Sequence, residues 1–235
     1  MINKMSKKHE MKDAFKAAFP VTIPVLTGFM VLGIAYGILM EAHGYGPLWS
    51  FLFSLCCYCG SMQYATIPFL VGEFQPLYVL LLAVMVNARH LFYGISMLEK
   101  YGGTGKFKTF LIYYMSDETF AINSSSEIPE GIRKDYFYFA TTLLDLCYWV
   151  SASVIGGIIG SLITFDTAGL DFALTALFVV LFLEQLKSKR NAACGVIGVA
   201  AGVISLAIFG SSNLIIPAMI IILIVLIGGK KKLCN

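Results

Sequence analysis

The chain has 235 residues, of which 58% are hydrophobic and 13% are charged, with a formal net charge of +3. Soluble domains carry about 25% charged residues, so this composition excludes soluble enzymes, nucleic-acid-binding proteins and secreted disulfide scaffolds. The charges are also clustered, because residues 17–40 and 192–229 contain none. Lipid is therefore the predicted solvent, and the predicted fold class is all-α: a polytopic transmembrane helical bundle.

Seven or eight stretches are long and apolar enough to count as membrane spans, since a crossing needs about 20 helical residues. The eight predicted spans cover residues 17–40, 47–72, 74–98, 107–123, 136–163 and 172–186, with two further crossings inside 191–229. A turn at residues 210–213 separates those last two. The fourth span contains two carboxylates and the sixth is short, so these two are the weakest.

The sequence is predicted to contain one transmembrane domain with a basic segment at either end. Residues 1–16 form the first basic segment, residues 17–229 the membrane domain and residues 230–235 a basic tail. The first span has the basic flank of a signal peptide, but the apolar run is long and no cleavage pattern follows it. We therefore expect it to be a retained helix.

Lysine and arginine in short loops favour the cytoplasmic side of the cell membrane. With eight crossings, four basic clusters share one side, which predicts that both termini are cytoplasmic; these clusters lie at residues 4–16, 133–134, 187–190 and 230–232. The loop with Lys100, Lys106 and Lys108 then falls on the opposite side. Either the rule is overridden there, or the second or fourth span is re-entrant.

The second predicted span contains features that interrupt a helix. Gly60 and Ser61 are followed by Gln63, Tyr64 and Pro68, and a Gly-Ser pair with a nearby proline weakens the hydrogen-bond ladder. Broken membrane helices can direct a half-helix N-terminus at an anionic group of a substrate. The alternative, equally supported, is a helix-packing site at the two small residues.

Polar residues in the third span form a second candidate group: Asn87, Arg89 and His90. Arg89 lies too deep in that span for its side chain to reach the interface easily. It therefore needs a carboxylate or carbonyl partner, or it contacts a substrate. His90 is able to carry a proton near neutral pH, although a structural, hydrogen-bonded histidine is at least as well supported.

Three carboxylates complete the candidate set. Asp117 and Glu118 are adjacent and point about 100° apart on a helix, so they cannot share one face. A short interfacial helix that never enters the lipid is the alternative for this stretch. Asp145 lies inside the fifth span, and both it and Asp117 are candidate counter-charges for Arg89.

The remaining motifs argue against an enzyme. The six cysteines are interpreted as small buried residues, because a single Cys-x-x-Cys spacing at residues 56–59 has no second pair at zinc-like spacing. No phosphate loop, metal-protease or haem motif is present, so no cofactor is expected. The few, varied polar residues suit a carrier site for a small zwitterion better than a channel lining, although a channel or a carrier for another metabolite or ion stays open.

Three stretches together resemble the signature regions of the AzlC family: residues 60–64, 87–94 and 116–121, in this order and spacing. The resemblance extends over most of the chain, and residues 19–37 are also similar. It implies the large subunit of a two-component exporter of branched-chain amino acids. It also implies a partner, a small membrane protein of the AzlD type.

On this resemblance we expect secondary active transport by alternating access. The broken second span would offer backbone amides, with Ser61 or Gln63, to the carboxylate of the substrate. Asp117 or Glu118 would hold its ammonium group. Arg89 and His90 would gate the site or couple it to proton movement, and Asp145 is grouped with them.

Overall fold

The computed structural model describes residues 7–73, 75–163 and 189–210, with isolated positions between residues 179 and 225. The chain divides into two compact units, residues 1–167 and 168–235. Helices make up the regular structure of the described residues. They are α1 (Lys7–Ala42), α2 (Pro47–Cys56), α3 (Gly60–Val71), α4 (Pro76–Met97), α5 (Lys108–Tyr113), α6 (Asp117–Ser125), α7 (Lys134–Leu162) and α8 (Lys189–Phe209), with a short 3₁₀ turn at Gly105–Phe107.

Three of the described helices are long and apolar enough to cross a membrane: α1, α4 and α7. At about 1.5 Å per residue, the 22 residues of α4 already reach the length of the hydrocarbon core. The prediction of an all-α membrane protein is confirmed. The basic N-terminal segment is helical from Lys7 onward and continues without a break into the first span.

Helices α1 and α7 run parallel and pack closely through small residues. A Cβ atom on Gly37 would lie 2.0 Å from the carbonyl oxygen of Ser153, and one on Gly156 would lie 2.1 Å from that of Ile34. Only glycine permits backbones this close. The small residues at 156–160 therefore form a packing seam, as their pattern predicts.

The second predicted span is a helical hairpin, here called the first hairpin (residues 47–71). Pro47 begins α2 beside Gly157, near the end of α7. The chain turns at residues 57–59, where Tyr58 has a φ of 34°. Helix α3 then returns toward the end where α2 began, because the Tyr45 hydroxyl donates to the carbonyl of Leu70 at 2.7 Å.

The fourth predicted span is a second hairpin (residues 108–125) that opens at the opposite end. The ring of Phe107, just before α5, packs against Tyr136 near the start of α7, with centroids 5.9 Å apart. Helix α6 comes back to that end, where Lys100 donates to the carbonyl of Ser124 at 2.5 Å. Each arm of the two hairpins, the longest having 12 residues, is too short to cross a bilayer alone.

The two hairpins bear on the loop with Lys100, Lys106 and Lys108, whose predicted side disagreed with the rule that basic loops are cytoplasmic. The expectation of a broken or re-entrant helix is confirmed, and the second and fourth stretches are not full crossings. Lys106 consequently lies beside Lys8, Lys12 and Arg133, at the end where α1 and α7 begin. Replacing two crossings by hairpins leaves an even number, so the predicted shared side of the two termini is unaffected.

Several aromatic residues lie in the interior of the first unit. Trp149, near the middle of α7, is 4% exposed. Its ring stacks on Tyr36 at 6.2 Å and meets Phe29 edge-on at 5.3 Å. Since its indole N–H is hydrogen-bonded within the protein, Trp149 has no need of interfacial water.

In the second unit, α8 ends at Phe209 and Gly210 follows with a φ of 72°. Gly210 is thus a turn residue where the predicted turn begins, and residues 211–213 lie outside the described residues. A Cβ atom on Gly195 would lie 2.4 Å from the side chain of Leu186, whereas Gly198 has open space around it. The predicted sixth span and final crossing fall largely outside the described residues, as does the basic tail.

Candidate functional site

The tips of the two hairpins meet inside the first unit. The ring of Tyr58, in the turn of the first hairpin, packs edge-on against Tyr114, with centroids 5.5 Å apart. The hydroxyl of Tyr113 donates a hydrogen bond to the carbonyl of Cys56. Non-helical backbone at membrane depth is tolerated where protein or a water-lined cavity satisfies it. The second hairpin thereby satisfies one backbone carbonyl at the tip of the first.

An ion pair joins the middle of α4 to the first turn of α6. The Nη1 atom of Arg89 lies 2.6 Å from Oδ2 of Asp117. Its Nη2 atom also donates to the hydroxyl of Ser61 at 3.0 Å, at the start of α3. Of the two candidate counter-charges for Arg89, the structure therefore selects Asp117. The side chains of the pair remain 43% and 35% exposed.

The N-termini of α3 and α6 differ in how their backbone amides are satisfied. Ser116 caps α6 by accepting from the N–H of Thr119 at 3.2 Å, and Asp117 and Glu118 occupy the first turn. Carboxylates there are stabilised by the helix dipole. The N-terminus of α3 has no side-chain cap. Its amides point to a position where an anion would be favoured.

Asn87 and His90 lie next to this pair on α4. The thiol of Cys59, which precedes α3, donates to Oδ1 of Asn87 at 2.9 Å. The ring of His90 meets that of Tyr93 edge-on, with centroids 5.5 Å apart. The structure thus brings residues from all three predicted groups to one place.

Asp145 occupies a separate, deeper position. It is fully buried, and its Oδ2 atom accepts from the hydroxyl of Thr119 at 2.6 Å. Within the described residues, its Oδ1 atom, the second oxygen of Asp117 and the hydroxyl of Tyr58 are buried without a hydrogen-bond partner. Buried polar atoms of this kind are rare and are costly to leave unpaired. Their concentration at the hairpin tips is typical of a binding site.

Three other predicted site residues position α3 instead of facing the ion pair. Gln63 accepts from Nε1 of Trp149 at 2.8 Å and donates to Ser54 at 3.1 Å. The hydroxyl of Tyr64 donates to the carbonyl of Leu32 at 2.5 Å. A Cβ atom on Gly60 would lie 2.9 Å from the Trp149 ring, so glycine permits this close approach. Gly60 therefore fits the helix-packing interpretation, whereas Ser61, which accepts a hydrogen bond from Arg89, fits the interpretation as a polar site residue.

Sequence reasoning missed Tyr58 and Thr119. Thr119 follows the N-cap Ser116 by three residues, a spacing typical of helix starts that could have indicated its buried face. Tyr58 lies between cysteines and has no such signal. The described residues hold no group of three or more histidine, cysteine or acidic side chains arranged to bind a metal.

Comparison with known proteins agrees with the signature stretches. The family described as AzlC protein matches residues 24–163. The branched-chain amino acid transport protein AzlC of Bacillus subtilis is 47% identical over 97% of this chain and 90% of its own length. An uncharacterized membrane protein of Haemophilus influenzae is 38% identical over 91% of this chain and 88% of its own length.

A more distant relative is the inner membrane protein YgaZ of Escherichia coli, 27% identical over 77% of this chain and 78% of its own length. No solved structure matches the chain significantly. The family match covers more than half of the sequence and includes both hairpins, the ion pair and Asp145. This membrane protein therefore belongs to the AzlC family.

Proposed function

We propose that the protein carries branched-chain amino acids across the cell membrane, exporting them from the cytoplasm by alternating access. The observation that carries the proposal is the Arg89–Asp117 ion pair beside the uncapped N-terminus of α3. The name of the Bacillus subtilis relative supports the substrate class. The relatives are named as transport or membrane proteins, which supports a carrier and not an enzyme.

The site offers complementary groups for the two charges of an amino acid. The carboxylate of Asp117 would bind the substrate ammonium group. The first amides of α3, with the Ser61 hydroxyl and Arg89, would bind the substrate carboxylate. Arg89 and Asp117 satisfy each other when no substrate is bound, so an entering zwitterion would exchange one ion pair for two. This exchange avoids leaving a charge unpaired at membrane depth.

The opposite directions of the two hairpins support alternating access. The first hairpin opens toward the end where α1 and α7 finish, and the second toward the end where they begin. Movement of one tip away from the other would expose the site to one side at a time. Each substrate methylene buried against neighbouring apolar side chains would add about 0.8 kcal/mol, favouring aliphatic side chains.

The proposal includes proton coupling and a partner. His90 and Asp145 are the groups proposed to carry the proton, because both lie beside the hairpin tips and both have a buried polar atom without a partner in the described structure. The partner is a small membrane subunit of the AzlD type, as the family resemblance implies. Both termini are proposed to be cytoplasmic.

Efflux from amino-acid-loaded cells tests the function. Asp117→Asn should sharply reduce leucine efflux per molecule of protein in the membrane, because the amide no longer attracts the ammonium group. Asp135→Asn is the matched control, since Asp135 pairs with Arg133 at the end of the unit and should leave efflux unchanged. Normal efflux by Asp117→Asn would contradict the site.

Counterflow in proteoliposomes tests the transport class. Saturable exchange of labelled for unlabelled leucine is expected of a carrier. Single-channel currents carried by the purified protein would overturn the carrier proposal. Co-expression with a small membrane protein of the AzlD type should raise efflux, whereas full activity of this chain alone would remove the partner from the proposal.

A further inference from the structure

A groove of about 900 Å³ opens where α1 and α7 begin, far along the helices from the ion pair. One wall is the first turns of α1, another is the loop at residues 103–107, and the third is the start of α7. All three belong to the first unit. The groove exists because the second hairpin returns the chain to this end, so the start of α7 lies beside the loop that precedes the hairpin.

The groove has an excess of positive charge. Lys8, Lys12 and Lys106 line it, are exposed, and form no ion pair with another described residue. Of the neighbouring acidic groups, Asp135 and Glu10 pair with Arg133, at 2.7 Å and 3.4 Å, and Asp13 lies 3.6 Å from His9. The three lysines are therefore left without a counter-charge from the described residues.

The lining beneath the lysines is apolar and aromatic. Phe15, Phe107 and Tyr136 contribute to it, and the last two rings pack 5.9 Å apart. A ligand that satisfies both parts must combine an anionic group with an apolar body. A small inorganic anion would use only the lysines.

The position of the groove along α1 identifies the source of such a ligand. Lys12 precedes the uncharged stretch at residue 17 by about five residues, or about 7.5 Å of helix. The headgroup region of a bilayer extends about 5–8 Å beyond the hydrocarbon core on each side. Lys12 thus lies level with phospholipid phosphates and Lys8 about one helical turn further out. Basic pockets between membrane helices commonly bind anionic headgroups.

We propose that this groove is a binding site for an anionic phospholipid. The headgroup phosphate binds to Lys8, Lys12 and Lys106, and the glycerol and upper acyl carbons lie against Phe15 and Phe107. The site is distinct from the amino-acid site and does not depend on what the protein transports. It holds the start of α1, the loop and the start of α7 together through one lipid.

Native mass spectrometry of the purified full chain in neutral detergent tests the proposal, with phosphatidylglycerol as the probe. The variant Lys8→Gln/Lys12→Gln/Lys106→Gln should bind the first phosphatidylglycerol about 100-fold more weakly than wild type, since each lysine contributes about fivefold at an anionic surface. Phosphatidylcholine should bind equally weakly to both proteins. Replacing the same lysines by arginine should retain the affinity.

The matched control is Lys16→Gln/Lys108→Gln/Lys134→Gln. These lysines are exposed at the same end but do not line the groove, so phosphatidylglycerol affinity should change by less than about threefold. Equal losses in both triple variants would show nonspecific attraction and overturn the site. Displacement of the lipid by an equal concentration of inorganic phosphate would also overturn it, because the apolar lining would then contribute nothing.

Discussion

Arg89 and Asp117 form a 2.6 Å ion pair that connects α4 to the first turn of α6, while Arg89 also bonds Ser61 at the start of α3. One guanidinium thereby contacts both hairpin tips and the long helix between them. A charge at this depth without a partner costs at least about 2.5–3.5 kcal/mol. The pair is therefore a structural requirement as well as the proposed recognition site.

This dual role predicts an asymmetric rescue. Arg89→Ala should lower membrane abundance of the protein, because it leaves Asp117 with an uncompensated charge. The double variant Arg89→Ala/Asp117→Ala should recover abundance, as measured by fluorescence-detected size-exclusion chromatography, but not transport. Arg89→Ala/Asp145→Asn is the control and should remain poorly expressed, since Asp145 bonds Thr119 instead. Rescue by the Asp145 change would show that the wrong counter-charge has been assigned.

Gln63 is expected to matter for stability and not for substrate affinity. It is 2% exposed and bridges Trp149 to Ser54. Gln63→Leu leaves the indole N–H without its acceptor and should cost about 1–3 kcal/mol. Thermal unfolding in detergent should show the loss, while the KM for leucine in proteoliposomes stays within about twofold of wild type. A large rise in KM with unchanged stability would place Gln63 in the binding site.

The glycine seam between α1 and α7 gives a prediction with a control in the same helix. Gly37→Ala places a methyl group 2.0 Å from the Ser153 carbonyl oxygen, so the helices must separate, at a cost of about 1–3 kcal/mol or more. Gly28 has open space around it, and Gly28→Ala should be neutral or stabilising by up to about 1 kcal/mol. Thermal unfolding of both variants checks this. Equal behaviour of the two would contradict the close parallel packing.

Cys59 reports on the proposed carboxylate position. Its thiol lies 3.8 Å from the Ser61 hydroxyl and 2.9 Å from Asn87. In a variant whose other cysteines are changed to alanine, leucine should slow alkylation of Cys59 by a small maleimide. A variant retaining only Cys147, which is exposed on α7, should react at the same rate with and without leucine. A leucine-independent rate at Cys59 would separate the substrate from the start of α3.

The sequence predicts the fold class, because composition is a local feature. Isolated charges within apolar stretches mark the candidate polar residues for the same reason. The sequence also identifies a break near Gly60 and Ser61 for this reason. The return direction of each hairpin depends on contacts between distant segments, such as Tyr45 with Leu70 and Phe107 with Tyr136. Hydropathy cannot distinguish a hairpin from a crossing of equal length, which is why the sequence alone leaves open whether the second or the fourth span is re-entrant.

The candidate site shows the same division. Arg89 is recognisable from its depth alone, whereas its partner depends on where the start of α6 lies relative to α4. Tryptophan is a residue type common at membrane interfaces. The hydrogen bond from Trp149 to Gln63 shows that this tryptophan is internal. Thr119 is recognised as part of the site only when the structure shows its hydrogen bond to Asp145. Pairwise geometry, not residue type, is what the sequence lacks.

The central claim is that both charges of an amino acid replace the two halves of the Arg89–Asp117 pair. Inhibition of leucine counterflow by analogues in proteoliposomes tests it most directly. Unlabelled valine and isoleucine should compete with leucine. Leucinamide, which lacks the carboxylate, and 4-methylpentanoate, which lacks the ammonium group, should each compete at least about tenfold less well, a loss of about 1.4 kcal/mol. Competition by either analogue as strong as that of leucine itself would contradict recognition of the zwitterion by this pair.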